Sequence, residues 1–103
     1  MDRIEQIKAF LLKTPKDDFL NYALAIEYVG LEDDEEALKQ FLRLCEDSPD
    51  YYATYYHLGK LYERMGEEQL AIDAYEKGME ITKRLGEKHA FGELRSALEE
   101  LTF

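Results

Sequence analysis

From Tyr55 to Tyr75 the chain reads YYHLGKLYERMGEEQLAIDAY, and the reading of this stretch decides the rest. Its apolar residues recur three and four apart without a sustained alternation of period two, which predicts a helix on each side of Gly66. A shift of 34 residues toward the start meets the same order again. Tyr56 falls on Tyr22, Leu58 on Leu24, Gly59 on Ala25, Tyr62 on Tyr28, Ala71 on Ala37, Ile72 on Leu38 and Tyr75 on Phe41, and Pro49 falls on Pro15. Side-chain size is kept in phase: aromatic where a ring is seated between helices, small where backbones approach. The chain therefore reads as a duplicated helix-turn-helix.

Working outward, the first helix is expected from Asp2 to Lys13, with Ile4, Ile7, Phe10 and Leu11 on one stripe and Thr14-Pro15 as its stop. The second runs from Asp17 to Val29, ended by Gly30. The acidic run Glu32-Asp33-Asp34-Glu35-Glu36 starts the third, which continues to Ser48-Pro49. The fourth is expected from Asp50 to Met65, the fifth from Glu67 to Leu85 and the sixth from Glu87 to Leu101. The fold class is all-α, and the short connections make sequential helices antiparallel neighbours.

The set Tyr55, Leu58, Gly59, Tyr62, Ala71 and Tyr75 resembles a tetratricopeptide repeat, whose period is about 34 residues. Tyr55 stands where that family's pattern opens with tryptophan, and Lys83 where it closes with proline. In the copy from Asp18 to Tyr51, Leu24, Tyr28, Ala37, Phe41 and Pro49 fit, while Asn21 replaces the opening aromatic and Ala25 the glycine. The resemblance implies a right-handed superhelical stack of antiparallel helix pairs forming one domain: a half-repeat helix at 1–15, repeats at 18–51 and 52–85, and a capping helix at 86–103 with Gly92 where leucine is expected. Each pair in such a stack leaves an apolar face for its neighbour, so two repeats and two caps lie near the lower limit of independent stability.

The 103 residues carry 23 acidic and 13 basic side chains, a formal charge of −10. Such a body repels phosphate, which argues against nucleic acid and anionic membrane as partners. The charge is uneven: residues 1–51 hold 13 acids and 6 bases, net −7, and residues 52–103 hold 10 and 7, net −3. Cys45, the one cysteine, can form neither an internal bridge nor a four-ligand zinc site, and reads as a small apolar filler in a reducing compartment. The opening MDRIEQIKAFLLKTP fits neither a secretion signal nor a membrane span, so the protein is expected in the cytoplasm.

No catalytic residue, metal ligand set or cofactor site is expected. His57 and His89 are the two histidines, and His89 with Glu93 four residues on offers at most two ligands on one helical face. The carboxylate pairs Glu35-Glu36, Glu67-Glu68 and Glu99-Glu100 are adjacent in sequence and point apart around a helix.

What the resemblance implies instead is a protein or peptide partner on the concave face lined by the first helix of each repeat. The residues placed there are Phe19, Tyr22, Ile26 and Val29 on the second helix, and Tyr56 and Lys60 on the fourth. Family members that clamp acidic carboxyl termini use lysine, asparagine and arginine at places that here hold Tyr22, Ile26, His57, Glu87 and Phe91, which disfavours that partner. The same stripe also reads as core between the second and fourth helices, or as the contact of a homodimer. In the last case the protein is a self-associating structural scaffold with no open groove.

Overall fold

A computed structural model describes residues 2–103, and among them it contains six α-helices and no strand. These are α1 (Arg3–Lys13), α2 (Asp18–Gly30), α3 (Asp34–Asp47), α4 (Ala53–Arg64), α5 (Glu68–Leu85) and α6 (Lys88–Thr102). The chain divides into two compact units, one ending at Tyr51 and the other comprising Tyr52–Phe103.

In the first unit α1 packs on α2 and α2 on α3. An aspartate starts each helix: the carboxylates of Asp2, Asp17 and Asp33 accept the backbone N–H of Glu5, Leu20 and Glu36 at 2.8, 2.9 and 3.2 Å. Each satisfies a donor that the first helical turn leaves open. The core of this unit is small, with Ile7, Leu24, Ala25, Ala37, Phe41 and Leu44 buried.

The second helix does not stop at Gly30, which remains helical. The reversal falls two residues later, on Glu32, whose φ of 59° is left-handed. Glu32 N–H bonds to Val29 C=O at 3.0 Å and Asp33 N–H to Tyr28 C=O at 3.0 Å. The matching turn after α4 has the same bonds 34 residues on, Gly66 to Glu63 and Glu67 to Tyr62, with Gly66 at φ 79°. A side chain in this conformation meets its own backbone, at a cost of about 1–2 kcal/mol that glycine avoids.

In the second unit α4 packs on α5, α5 on α6, and α6 also touches α4. The fourth helix starts at Ala53, three residues later than the pattern predicts, because the chain around Pro49 forms a turn in which Tyr51 N–H bonds to Ser48 C=O at 3.0 Å. Tyr55, Leu58, Leu61, Tyr62, Ala71, Ala74, Tyr75, Ile81, Leu94 and Ala97 make its core. Two glycines are required here by close approach. A Cβ on Gly59 would run into the Tyr75 ring, and one on Gly78 would lie 2.8 Å from Tyr55 Cβ and 2.9 Å from Leu94 Cδ1. Gly78 is thus where α4, α5 and α6 meet. The hydroxyl of Thr82 is buried and donates to Gly78 C=O at 2.8 Å, whereas the buried hydroxyl of Thr54 has no hydrogen-bond partner among the described residues.

Candidate functional site

Four of the six expected partner-binding residues lie on α2, in the first unit. Phe19 is 62% exposed, while Tyr22, Ile26 and Val29 are half-buried. The Tyr22 ring is not free-standing: its centroid lies 5.7 Å from that of Tyr51 at a tilt of 58°. Burial, with Tyr51 alongside, pushes the Tyr22 phenol above its ordinary value. Phe19 is therefore the projecting apolar side chain of this stripe, and the other three are partly committed to packing.

The same unit has a hollow of about 290 Å³ between the start of α2 and the end of α3. Within it Lys16 Nζ lies 3.3 Å from Asp47 Oδ2 and Ser48 Oγ donates to Asp18 Oδ1 at 2.5 Å, while the exposed Arg43 also lines it. Lys16, Asp47, Ser48 and Asp18 offer no unmatched group to a ligand.

The other two expected residues, Tyr56 and Lys60, lie on α4 and line a groove of about 500 Å³ whose opposite wall is α6. Lys60 Nζ sits 5.6 Å from the centre of the Tyr56 ring and 3.8 Å from Glu63 Oε2. Glu63 in turn accepts a hydrogen bond from the Tyr75 hydroxyl. Burial, followed by this bond, raises the Tyr75 phenol well above its ordinary value, so it stays a donor. The chain Tyr75–Glu63–Lys60–Tyr56 holds the ammonium at the groove with part of its charge already compensated.

Pattern reading placed no binding residue on α6, yet Lys88, Gly92, Arg95, Ser96 and Glu100 line this groove. The three cations Lys60, Lys88 and Arg95 line it with the carboxylates of Glu93 and Glu100; Lys60 and Arg95 are paired on their own helices, Arg95 Nε lying 3.6 Å from Glu99 Oε1, and Lys88 is exposed. None of the three occupies a place associated with the acidic-terminus clamp. The one sequence signal for this wall was Gly92, a glycine where the repeat pattern calls for leucine.

A second hollow, about 350 Å³, continues from Tyr56 along Tyr52, Ala53, His57, Ala90 and Glu93. The His57 ring stands edge-on to Tyr56 at 5.4 Å. Burial holds its imidazole below the ordinary value, with Glu93 opposing. His89 Nε2 lies 3.4 Å from Glu93 Oε1 on the exposed face of α6, an i,i+4 surface pair. Among the described residues no group of three or more His, Cys, Asp and Glu side chains could hold a metal ion. Among the described residues no helix is long and apolar enough to cross a membrane.

The profile of the family described as TPR repeat matches residues 27–66, and that of the tetratricopeptide repeat matches residues 52–84. Over 98 residues the chain is 30% identical to a TPR repeat-containing protein of Pseudomonas aeruginosa, covering 95% of this chain and 93% of that one. The chain belongs to the tetratricopeptide-repeat family. Among solved structures, this tetratricopeptide-repeat chain is similar to the tetratricopeptide repeat domain protein from Salinibacter ruber, with 42% identity and a TM-score of 0.81 over 84% of this chain and 88% of that one. It shares its fold with PcrH, solved in complex with the chaperone binding region of PopD, at 13% identity and a TM-score of 0.86 over 96% of this chain and 75% of that one.

Proposed function

We propose that the chain is a non-enzymatic protein-interaction module that takes a peptide or protein partner on the first-helix faces of its repeats. In this reading residues 1–15 are a half-repeat, 18–51 and 52–85 the repeats, and 86–103 the cap. The observation that carries it is the α4–α6 groove, where Tyr56 and the braced Lys60 stand beside an open, mixed-charge surface. An aromatic ring and a preorganised cation are the kind of pair that dominates binding energy at interfaces. Phe19, Tyr22, Ile26 and Val29 supply apolar contacts on α2. The family's fold supports the reading, as does the neighbour PcrH with its bound PopD region. With one half-buried cysteine, the protein suits a reducing, cytoplasmic setting.

A random-peptide display library panned on the full chain tests it. Wild type is expected to enrich peptides whose binding falls by roughly 30-fold or more in Tyr56→Ala, the loss associated with an interface hot spot. Lys60→Ala and Phe19→Ser are expected to weaken binding less. Enrichment that is absent, or indifferent to all three substitutions, rejects the proposal.

A further inference from the structure

The groove of the second unit contains a residue that the fold does not require. Gly92 lies in the interior of α6, where glycine weakens a helix. Its φ is not positive, and a Cβ added there meets nothing within 4 Å. Gly59 and Gly78, by contrast, are fixed by the rings and side chains that would strike them. A bare Cα on a groove wall suits the close approach of another main chain. Ser96, one turn further along the same helix, keeps that wall low.

The α2–α3 turn has matching features of its own. Leu31 is 66% exposed beside the acidic run. Glu32 holds the left-handed position that belongs to glycine in the other hairpin. The side chains of Glu32 and Glu35 are exposed and enter no hydrogen bond or ion pair among the described residues. Across the groove, Lys88 is likewise exposed and without an ion pair. An apolar tip flanked by uncommitted carboxylates faces, in chemical terms, an aromatic wall with one uncommitted cation, Lys88, and two that are held on their own helices, Lys60 by Glu63 and Arg95 by Glu99 at 3.6 Å, and that a docked carboxylate would share.

We propose that the α2–α3 turn of one copy docks in the α4–α6 groove of a second copy. Leu31 contacts Tyr56, the carboxylates of Glu32 and Glu35 meet Lys60, Lys88 and Arg95, and the turn's main chain passes close to Gly92. The contact is head-to-tail, since the two surfaces differ. It rests on the reading of this groove as a partner-docking face, and it names the partner.

Sedimentation velocity of the full chain over increasing concentration tests it, with circular dichroism and a thermal melt to show that each variant is folded. Wild type is expected to gain mass with concentration. Glu32→Lys with Glu35→Lys reverses the turn without touching the Asp33 cap, and Lys88→Glu with Arg95→Glu reverses the groove. Each double variant alone is expected to associate about tenfold or more weakly. Mixed one to one they restore association, because each reversed surface then finds its complement on the other chain. Gly92→Leu, which fills open space, is expected to stay folded and monomeric. A wild type that remains monomeric at about 1 mM, a mixture no better than its parts, or a Gly92→Leu chain that associates like wild type overturns the proposal. Library peptides that bind a monomeric wild type and are lost in Gly92→Leu overturn self-docking and leave the groove standing. With no peptide bound either, both readings fall.

Discussion

Where the α4–α5 hairpin seats Tyr75 against Gly59, the α2–α3 hairpin holds Phe41 with Ala25 at the same register. Both aromatic rings are fully buried. The added methyl at Ala25 goes with the lost hydroxyl at Phe41, and the partner of that hydroxyl changes as well. Glu63, which accepts from Tyr75, corresponds to Val29. The repeats thus exchange residues as sets, polar with polar and apolar with apolar, because a buried hydroxyl without an acceptor is costly. The reversals differ in the same spirit. Gly66 turns without strain and is followed by Glu67, which makes no side-chain cap, whereas strained Glu32 is followed by the capping Asp33.

The comparison breaks first at the rings. Phe41→Ala and Tyr75→Ala should each cost about 3–5 kcal/mol in chemical denaturation. Tyr75→Ala should be the larger of the two, because it also leaves Glu63 without its donor; equal losses would mean that the hydroxyl contributes nothing. Next, Gly59→Ala should destabilise by about 1–3 kcal/mol through its clash with Tyr75. Adding Tyr75→Phe, which recreates the Ala25–Phe41 pair and frees the ring to pivot, should recover part of that loss. A double variant no better than Gly59→Ala would show that the two pairs are not interchangeable.

The turns offer a smaller, signed test. Glu32→Gly should stabilise by about 1 kcal/mol, after the entropic cost of glycine, and raise the melting temperature by roughly 4–8 °C. Gly66→Ala should lower it by a similar amount. A Glu32→Gly chain with an unchanged midpoint would contradict the strain assigned to that residue.

The smallest effect is one of pH. His57 corresponds to Ala23, so this titration belongs to one hairpin alone. Because burial lowers the folded-state value, the unfolded chain binds the proton more readily. Stability is therefore full above the ordinary histidine value of about 6.5 and declines as pH falls from there through the lowered one. His57→Gln should remove that part of the acid sensitivity, read as melting temperature against pH; an unaltered profile would assign the sensitivity elsewhere.

Six helices, their order and the duplicated hairpin were legible because each rests on several side chains repeating in phase. The boundaries that moved depended on single residues. Gly30 attracted the turn on conformational freedom alone, although the 34-residue shift places Glu32, not Gly30, on Gly66. Asp50 resembled a helix start, but the turn closed by Tyr51 N–H and Ser48 C=O holds it outside α4. Tyr56 and Lys60 could be placed at a groove from the repeat register. Its other wall could not, because α6 departs from the pattern and its lining residues are polar and small, types that leave no apolar period. Only Gly92 carried a hint, as a residue missing from the expected place.

The crossing at Gly78 bears on how the second unit comes apart. With Tyr55, Gly78 and Leu94 stacked at a single point, α6 cannot lift away without uncovering the contact between α4 and α5. Its backbone amides should therefore exchange with deuterium at the pace set by cooperative opening of that whole unit. The amides of α1, which lean on α2 through a single deeply buried side chain, Ile7, should become labelled much sooner.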